Sequence, residues 1–338
     1  GEIPKTKSYP LGHLGCDTFF DPKKKQHIVS AIWHGEASDS IYQSPLNGPG
    51  IGVQVGDAIL AINGQTCDEN NPPEKRLIHQ ANRYVILSIQ PKDPKQPIHF
   101  KHIKTLGNIK PLLYRQWVEH NKAYVEKHSQ GKYGYVHIPD MSKFGLTEFY
   151  RNYHQCYDKE GIVVDVRFNG GGHVSSMILQ KLAVARFGLD FTRWHGASFS
   201  YPYASPRGNM VALCNENTGS DGDIFSYAFK KLKLGKLFGK RTWGGVVGIN
   251  VRNQLLDGGV TTQPEYAVWF QDSGYSIENH GVDPDTIVEI SPEQAASGHD
   301  PQLNAAIAHL NSLQPPTLEQ KVKQHQKPLR KARKLPKD

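Results

Sequence analysis

Short apolar runs separated by turn residues fill the first third of the chain. Runs of this kind, rich in Val and Ile and bounded by Gly, Asn or Asp, predict β-strands. The predicted strands are His27–Ile32, Asp57–Ile62 and Tyr84–Ile89. The pair Asn63-Gly64 follows the second strand, and both residues accept the positive φ that a two-residue hairpin requires. The pattern therefore predicts a small β module, which we place at residues 11–104.

Beyond residue 110 the apolar pattern changes to alternating helices and strands. Near-continuous apolar runs predict strands covered on both faces, and they are Gly134–Ile138, Gly161–Val166 and Met210–Cys214. Helical spacing is present at 117–125, Met177–Phe187 and Gly222–Leu234. Strands that alternate with helices predict an α/β sheet, which we place at residues 105–313.

The two ends of the chain have a different composition. Residues 1–10 are rich in Lys and Pro and are predicted to be a linker. Residues 314–338 are predicted to be a basic, disordered tail, which carries much of the formal net charge of +8. No aromatic residue interleaves with the tail's charges to stack on bases, so a solvated tail is favoured over a nucleic-acid arm.

Composition limits the compartment and the cofactors. No apolar run reaches the ~18 residues that a membrane span needs, so no membrane partner is expected. Cys16, Cys67, Cys156 and Cys214 are scattered without zinc-ligand spacing, which predicts free thiols and no metal site. Free thiols favour a reducing compartment, and we expect a cytoplasmic protein, with a periplasmic or exported location left open.

Three successive glycines, Gly170–Gly172, directly follow a predicted strand. Because glycine loses the most backbone freedom on folding, a triplet suits a sharp turn or a place where a ligand approaches main-chain amides. A phosphate loop is a weaker alternative, since neither a Gly-Lys-Ser/Thr sequel nor G-x-G-x-x-G spacing is present. The residues alone leave a tight turn and an oxyanion loop open.

Ser220 lies between the strand that ends at Cys214 and the helix predicted from Gly222. A serine at such a turn can expose its hydroxyl while amides at the helix start face a developing oxyanion, as acyl transfer requires. Ser and Asp before a helix more often cap it, and the segment does not fit G-x-S-x-G. On these residues alone, capping is the favoured interpretation.

Four segments, taken in order, resemble the tricorn core protease, a family related to the carboxyl-terminal processing peptidases. They are Asp165–Gly172, Gly219–Phe225, Arg241–Ile249 and Glu278–Asp285, and Val136–Met141 upstream agrees as well. In addition, Val55–Gly64 resembles the "GD-x-I-L-x-I-N-G" segment of PDZ domains, which take an extended peptide onto a sheet edge. The resemblance covers the chain from about Leu14 to Asn311. It implies an α/β fold (α+β overall), in which a PDZ-like β module precedes an α/β catalytic domain of the tricorn or ClpP-crotonase-like type.

The resemblance implies a serine peptidase that works through an acyl-enzyme, without a metal or organic cofactor. Ser220 matches the nucleophile, the backbone N–H groups of Gly172 and Asp221 match the oxyanion hole, and Glu278 matches the acid that helps orient and polarise the base. Asp190 falls where the family has the acid that selects basic P1 side chains, so preference for Lys or Arg at P1 is expected. A surface aspartate that caps a turn is the competing interpretation of Asp190.

In the resembling family the general base is a His preceded by Ser, from a helical subdomain before the PDZ-like module. The segment that follows this pair aligns with Gly12–Asp17, so the base is expected upstream of Gly1. Four histidines of the chain are therefore not predicted to be the base: His13, His137, His173 and His280. The isolated chain is expected to turn over little, because an unactivated serine hydroxyl is a poor nucleophile.

Expected partners follow from the same resemblance. They are a peptide or unfolded protein substrate and further copies of the chain in a homo-oligomer. The alternative function is a PDZ-type peptide-binding protein, or an inactive fragment, whose α/β domain is catalytically silent. Covalent capture by a serine-reactive probe that depends on Ser220 separates these hypotheses.

Overall fold

The computed structural model describes residues 9–36, 42–191, 198–250, 254–314 and 316. These residues belong to two compact units, one ending at Asn121 and one beginning at Lys122. The predicted domain limits stay predictions, and most of the predicted linker and of the basic tail lies outside the described residues. None of the described helices is both long and apolar enough to cross a membrane.

An antiparallel β-sheet forms the N-terminal unit. Its elements are β1 Cys16–Asp21, β2 Gln26–Ile32, β3 Ala58–Ile62, β4 Gln65–Thr66, α1 Pro73–Arg76, β5 Tyr84–Gln90 and β6 His99–Lys104, with a 3-10 turn at Pro45–Asn47. The strand order is β1-β2-β3-β5-β6, and β4 pairs with β3. The three predicted strands are thus confirmed as β2, β3 and β5, with ends that differ by a single residue.

The hairpin between β3 and β4 forms as its sequence predicts. Ile62 pairs with Gln65, and the two residues between them, Asn63 and Gly64, have φ of 52° and 76°. Along β5 buried and exposed positions alternate, so one face of the sheet supplies the apolar core of this unit.

A five-stranded parallel sheet lies at the centre of the second unit, in the order β15-β12-β11-β8-β7. The elements from α2 onward are α2 Lys110–His128, β7 Tyr133–His137, α3 Lys143–Cys156, β8 Gly161–Asp165, α4 Ser175–Leu182, β9 Gly188–Phe191, β10 Ser198–Tyr201, β11 Asn209–Cys214, α5 Asp221–Lys231, β12 Gly235–Gly239, β13 Gly248–Asn250, β14 Gln263–Tyr266, β15 Thr286–Ile287, α6 Pro292–Ala296 and α7 Pro301–Ser312. The predicted α/β fold class is confirmed.

Every residue of β7 and β8 is buried, as expected of strands covered on both faces. Helix α3 packs against β7, and α7 packs against β11. Aromatic rings fill the core between sheet and helices, among them the fully buried Phe149, Phe225 and Phe229. Burial of each such ring stabilises the fold by roughly 1.5–3 kcal/mol.

Two helices end earlier than their apolar spacing predicts. Helix α4 stops at Leu182 because the chain then enters β9, which pairs with β10. Helix α5 stops at Lys231, and Lys233 takes a positive φ of 54°. A left-handed residue at this position ends a helix and turns the chain, here into β12.

The four cysteines are free thiols, as predicted, and all but the half-buried Cys16 are buried. Burial raises the pKa of Cys67 to about 11 and that of Cys156 to about 12. These thiols therefore stay protonated near neutral pH, where a thiol is a weak nucleophile.

The order of the parallel strands positions the chemistry. Strands β8 and β11 are neighbours, with Leu213 beside Asp165 at their carboxyl ends. The glycine triplet follows β8 and Ser220 follows β11. Because the ends of parallel strands meet at one edge of the sheet, two segments that are distant in the sequence meet there.

Candidate active site

Ser220 is the N-cap residue of α5, yet its side chain makes no capping hydrogen bond. Its backbone has φ 57° and ψ −121°, a conformation that residues with a side chain adopt only where the surrounding structure imposes it. The hydroxyl is partly exposed and makes no hydrogen bond to any described residue. The capping interpretation, favoured from the residues alone, is therefore wrong.

The glycine triplet lies directly against Ser220. A Cβ placed on Gly171 would lie 2.5 Å from the Ser220 Cβ and 3.0 Å from its Oγ. Asn169 holds this loop in place: its side chain accepts from the Gly171 N–H at 2.9 Å and donates to the Ile138 carbonyl at 2.8 Å. The triplet is thus a place where the backbone comes close to the serine, and its use as an oxyanion loop stays a prediction.

Two main-chain donors near Ser220 are without an acceptor in the described part of the chain. Gly172 forms a bridge with Met141 in which the neighbouring residues, Gly171 and His173, make the hydrogen bonds. The N–H of Gly172 is left over. The N–H of Asp221 is one of the first in α5, and such groups have no partner within their own helix.

A cavity of about 420 Å³ lies beside Ser220. Its lining includes Gly172, Ser220, Asp221, Ile224, Val246 and Tyr266. Ser220 and the two residues that carry these N–H groups thus line one cavity, together with apolar side chains and the polar side chains of His173, Ser175 and Ser176. A carbonyl group placed there can meet the hydroxyl at carbon and the donors at oxygen, which is the arrangement that acyl transfer needs.

The carboxylate of Asp221 is not directed to this chemistry. It accepts from the Ser175 N–H at 2.9 Å and also from the Ser175 hydroxyl, and it is buried. The side chain thereby ties the start of α4 to the start of α5. The carboxylate is thus engaged within the fold, and the role expected for the N–H of Asp221 stays a prediction.

Glu278 binds two main-chain N–H groups of the segment that forms one wall of the cavity. One of its oxygens, Oε2, accepts from the N–H of Val246 at 2.9 Å and from the N–H of Val247 at 2.6 Å. Val246 lines the cavity, whereas Glu278 does not. Glu278 therefore lies outside the lining of the cavity, and no hydrogen bond joins it to Ser220 in the described structure.

Asp190 lies in β9, exposed and opposite Phe199 of β10. It does not line the cavity of Ser220. The structure does not place the predicted P1 determinant at the cavity of Ser220, so its role stays a prediction.

Two of the four histidines, His13 and His137, are held by hydrogen bonds within the fold. His13, in the N-terminal unit, exchanges main-chain hydrogen bonds with Leu106 at 2.8 and 3.0 Å. His137 is buried, with Nε2 3.0 Å from the Arg167 carbonyl. Burial lowers the pKa of His137, which favours the neutral ring.

The other two histidines are exposed. His280 forms a pair with Asp283 at 3.0 Å. His173 lines the cavity next to Gly172, although no hydrogen bond joins it to Ser220. Among the described residues, no histidine is in hydrogen-bond contact with the Ser220 hydroxyl, and no cluster of acidic, His or Cys side chains is arranged to hold a metal ion.

Sequence reasoning missed the apolar part of the cavity. Ile224 follows Ser220 by one helical turn, so the spacing alone places both on one face of α5. Tyr266 gives no such signal, because β14 reaches the cavity only through its pairing with β13. The exposed Trp243 was also missed; its ring lies 2.7 Å from where a Cβ on Gly219 would be.

Comparisons with known proteins match both parts of the chain. Residues 132–288 match Peptidase family S41, and residues 12–105 match the Tricorn protease PDZ domain. The tricorn protease of Thermoplasma volcanium is 44% identical over 296 residues, which are 88% of this chain and 28% of that protein. Tricorn protease homolog 1 of Streptomyces coelicolor is 43% identical over 280 residues, 83% of this chain and 26% of that protein.

A solved structure shows the same fold. The crystal structure of the tricorn protease superposes with a TM-score of 0.83 at 41% sequence identity, over 90% of this chain and 29% of that chain. The chain thus spans between a quarter and a third of the length of these relatives. The two matched domains, the relatives and the superposition agree with one another, and the chain therefore belongs to the tricorn-like serine proteases of peptidase family S41.

Proposed function

We propose that this chain carries the nucleophile and the oxyanion hole of a peptidase that cleaves peptide bonds through an acyl-enzyme. The observation that supports it most is the uncapped Ser220 hydroxyl, held in a strained turn against Gly171 and opening into a cavity with two unused N–H donors. Membership of a peptidase family supports the same function and does not favour a silent peptide-binding protein.

In the proposed first step the Ser220 Oγ attacks the carbonyl carbon of the scissile bond. The negative charge that develops on the carbonyl oxygen is stabilised by the N–H groups of Gly172 and Asp221. The C–N bond then breaks, the departing amine takes up the proton that the serine lost, and the acyl group stays on Ser220. Water releases the acid and restores the hydroxyl.

The proton must be carried by a base within hydrogen-bond reach of the hydroxyl. We propose a histidine that is not among the described residues, since none of these is in such contact with Ser220. Glu278 is proposed to assist it indirectly, by holding the segment at Val246 and Val247. The same proposal includes short or unfolded peptides as substrates and basic P1 side chains selected by Asp190. It also includes a homo-oligomeric assembly and a cytoplasmic location.

Covalent labelling of the full chain with an excess of fluorophosphonate tests the proposed nucleophile. We expect the label on the peptide that contains Ser220, no label in Ser220→Ala, and unchanged labelling in Ser297→Ala, a control at an exposed serine. Mass spectrometry of the digested protein locates the adduct. Equal labelling of wild type and Ser220→Ala would contradict the assignment, whereas peptide binding by an unlabelled chain would support the binding module.

A further inference from the structure

Asp223 lies one turn into α5, and its side chain is fully buried. Its Oδ1 accepts from the Thr242 hydroxyl and from the Gly244 N–H, the latter at 2.9 Å. Its Oδ2 is buried without a hydrogen-bond partner in the described structure. The main-chain N–H of Ser220 also faces this carboxylate. The Asp223 carboxylate thus lies between Ser220 and a segment that begins at Thr242 and is distant in the sequence.

That segment, residues 242–247, is held from a second side. The Thr242 Oγ1 accepts from the Val282 N–H at 2.7 Å, and the Gly244 carbonyl accepts from the Asn279 N–H at 2.7 Å. Further along, Val246 and Val247 donate to Glu278. Residues 242–247 therefore connect Asp223 with the Glu278 loop and then form part of the cavity wall.

The position of Asp223 in its helix explains the contact with Ser220. An acidic side chain at the third helical position reaches back to the N–H of the N-cap residue, and in a capping box the N-cap side chain returns the bond. Ser220 does not return it. The Asp223 carboxylate thus lies next to the backbone of the serine, while the serine hydroxyl makes no capping bond.

We propose that Asp223 is a positioning residue whose ionised carboxylate fixes the Ser220 turn and the 242–247 segment in one geometry relative to each other. This inference rests on the proposed function of Ser220. It explains why the interior contains a carboxylate with one unsatisfied oxygen, an arrangement that costs stability and that an apolar side chain would avoid.

The electrostatic surroundings make this role sensitive to protonation. Burial raises the pKa of Asp223, and the negative charge of Glu278 adds to the shift, whereas the Thr242 hydroxyl and the N–H groups of Gly244 and Ser220 oppose it. The Cys214 thiol, which also faces Asp223, stays neutral because burial raises its own pKa far above neutral. Ionised Asp223 accepts its donors more strongly than the protonated acid does.

Hydrogen exchange of the full chain tests the positioning role without any need for turnover. Asp223→Asn keeps the shape but removes the charge, and Thr242→Val removes the hydroxyl, with Thr242→Ser as the matched control that keeps it. We expect exchange in peptides covering 218–223 and 242–248 to rise about tenfold in Asp223→Asn and Thr242→Val. The effect of the double variant should be smaller than the product of the two single effects, because the two changes share the contact between Asp223 and Thr242.

Wild-type exchange in Asp223→Asn, or an increase that is equal in all peptides of the second unit, would overturn the role. The first result shows that the charge does nothing locally, and the second shows general destabilisation. A Thr242→Ser variant that behaves like Thr242→Val would overturn it as well.

The rate of Ser220 labelling with fluorophosphonate gives a second readout. We expect the wild-type rate to fall as the pH is lowered through a pKa above the ordinary aspartate value, and this fall to be absent in Asp223→Asn. Glu278→Gln identifies any part of the fall that comes from Glu278. Labelling of Ser220 with normal exchange and an unchanged pH profile in Asp223→Asn would refute the positioning role and leave the peptidase intact. Equal labelling of wild type and Ser220→Ala would refute the proposed nucleophile and leave the exchange result to decide the role of Asp223.

Discussion

At the scale of single residues, the site depends on one serine and on the space beside it. Ser220 adopts positive φ although it has a side chain, and its usual capping bond is absent. Such strain is retained only where other contacts compensate for it. Asn169, which holds the neighbouring glycine loop, supplies part of this compensation.

The replacement Gly171→Ala should remove Ser220 labelling and lower the free energy of unfolding by about 2–4 kcal/mol, because the new Cβ would meet the Ser220 side chain at 2.5–3.0 Å. Gly131→Ala is the matched control: φ is 78° there, close to the 83° of Gly171, and no atom lies within 4 Å of the added Cβ. The control measures backbone strain alone, about 1–2 kcal/mol. Thermal unfolding and probe labelling check both, and equal behaviour of the two variants would show that the contact with Ser220 is unimportant.

At the scale of elements, the site is assembled from the ends of β8 and β11 and the starts of α4 and α5. The start of α4 is joined to that of α5 by the contact between Ser175 and the Asp221 carboxylate. The proposed oxyanion donors Gly172 and Asp221 come from different segments, and this contact joins the two segments.

The replacement Ser175→Ala should lower the free energy of unfolding by about 1–3 kcal/mol, since it leaves a buried carboxylate with one donor fewer. Urea unfolding followed by circular dichroism measures the change. The adjacent and exposed Ser176 serves as the stability control, and Ser176→Ala should change the free energy by less than about 0.5 kcal/mol. A loss of similar size in both variants would mean that the contact does not join the helices.

The strands and the hairpin could be predicted because their signals are local. Continuous apolar runs identified β7, β8 and β11, and Asn63-Gly64 identified a turn through its own conformational preference. The end of α4 could not be predicted, because it depends on pairing of β9 with a strand further along the chain. For the same reason the sequence did not show that Tyr266 lines the cavity, and the uncapped state of Ser220 depends on contacts of the folded chain.

At the scale of the second unit, one buried ion pair connects the sheet to the C-terminal helix. Arg167 bonds to Asp165 at 2.6 Å and to Asp300, the N-cap of α7, at 2.7 Å. Tyr135 also donates to Asp165, at 2.8 Å. Phe168, which follows Arg167, begins the loop that leads to the glycine triplet. The network therefore anchors the start of this loop.

Acid should unfold this unit through Asp165. Burial alone would raise the pKa of Asp165, but the Arg167 guanidinium outweighs burial and holds it below the ordinary value. A depressed folded pKa means that the stabilisation is present above the pKa of the unfolded chain and is lost as the pH falls through the folded pKa. Unfolding free energies measured from pH 7 down to about pH 2 should therefore fall more steeply in wild type than in Asp165→Asn, which should itself lose about 3–5 kcal/mol at pH 7. Parallel curves for the two proteins would contradict this account.

The position of Trp243 makes its intrinsic fluorescence a reporter of the surface beside Ser220. Its indole is 66% exposed and packs on Gly219, next to the proposed nucleophile Ser220. Water quenches the emission of an exposed indole, so a peptide that settles over Ser220 will change the colour and intensity of that light. Occupancy can thus be followed in real time with unmodified ligands, even in a form of the protein that never completes a reaction cycle.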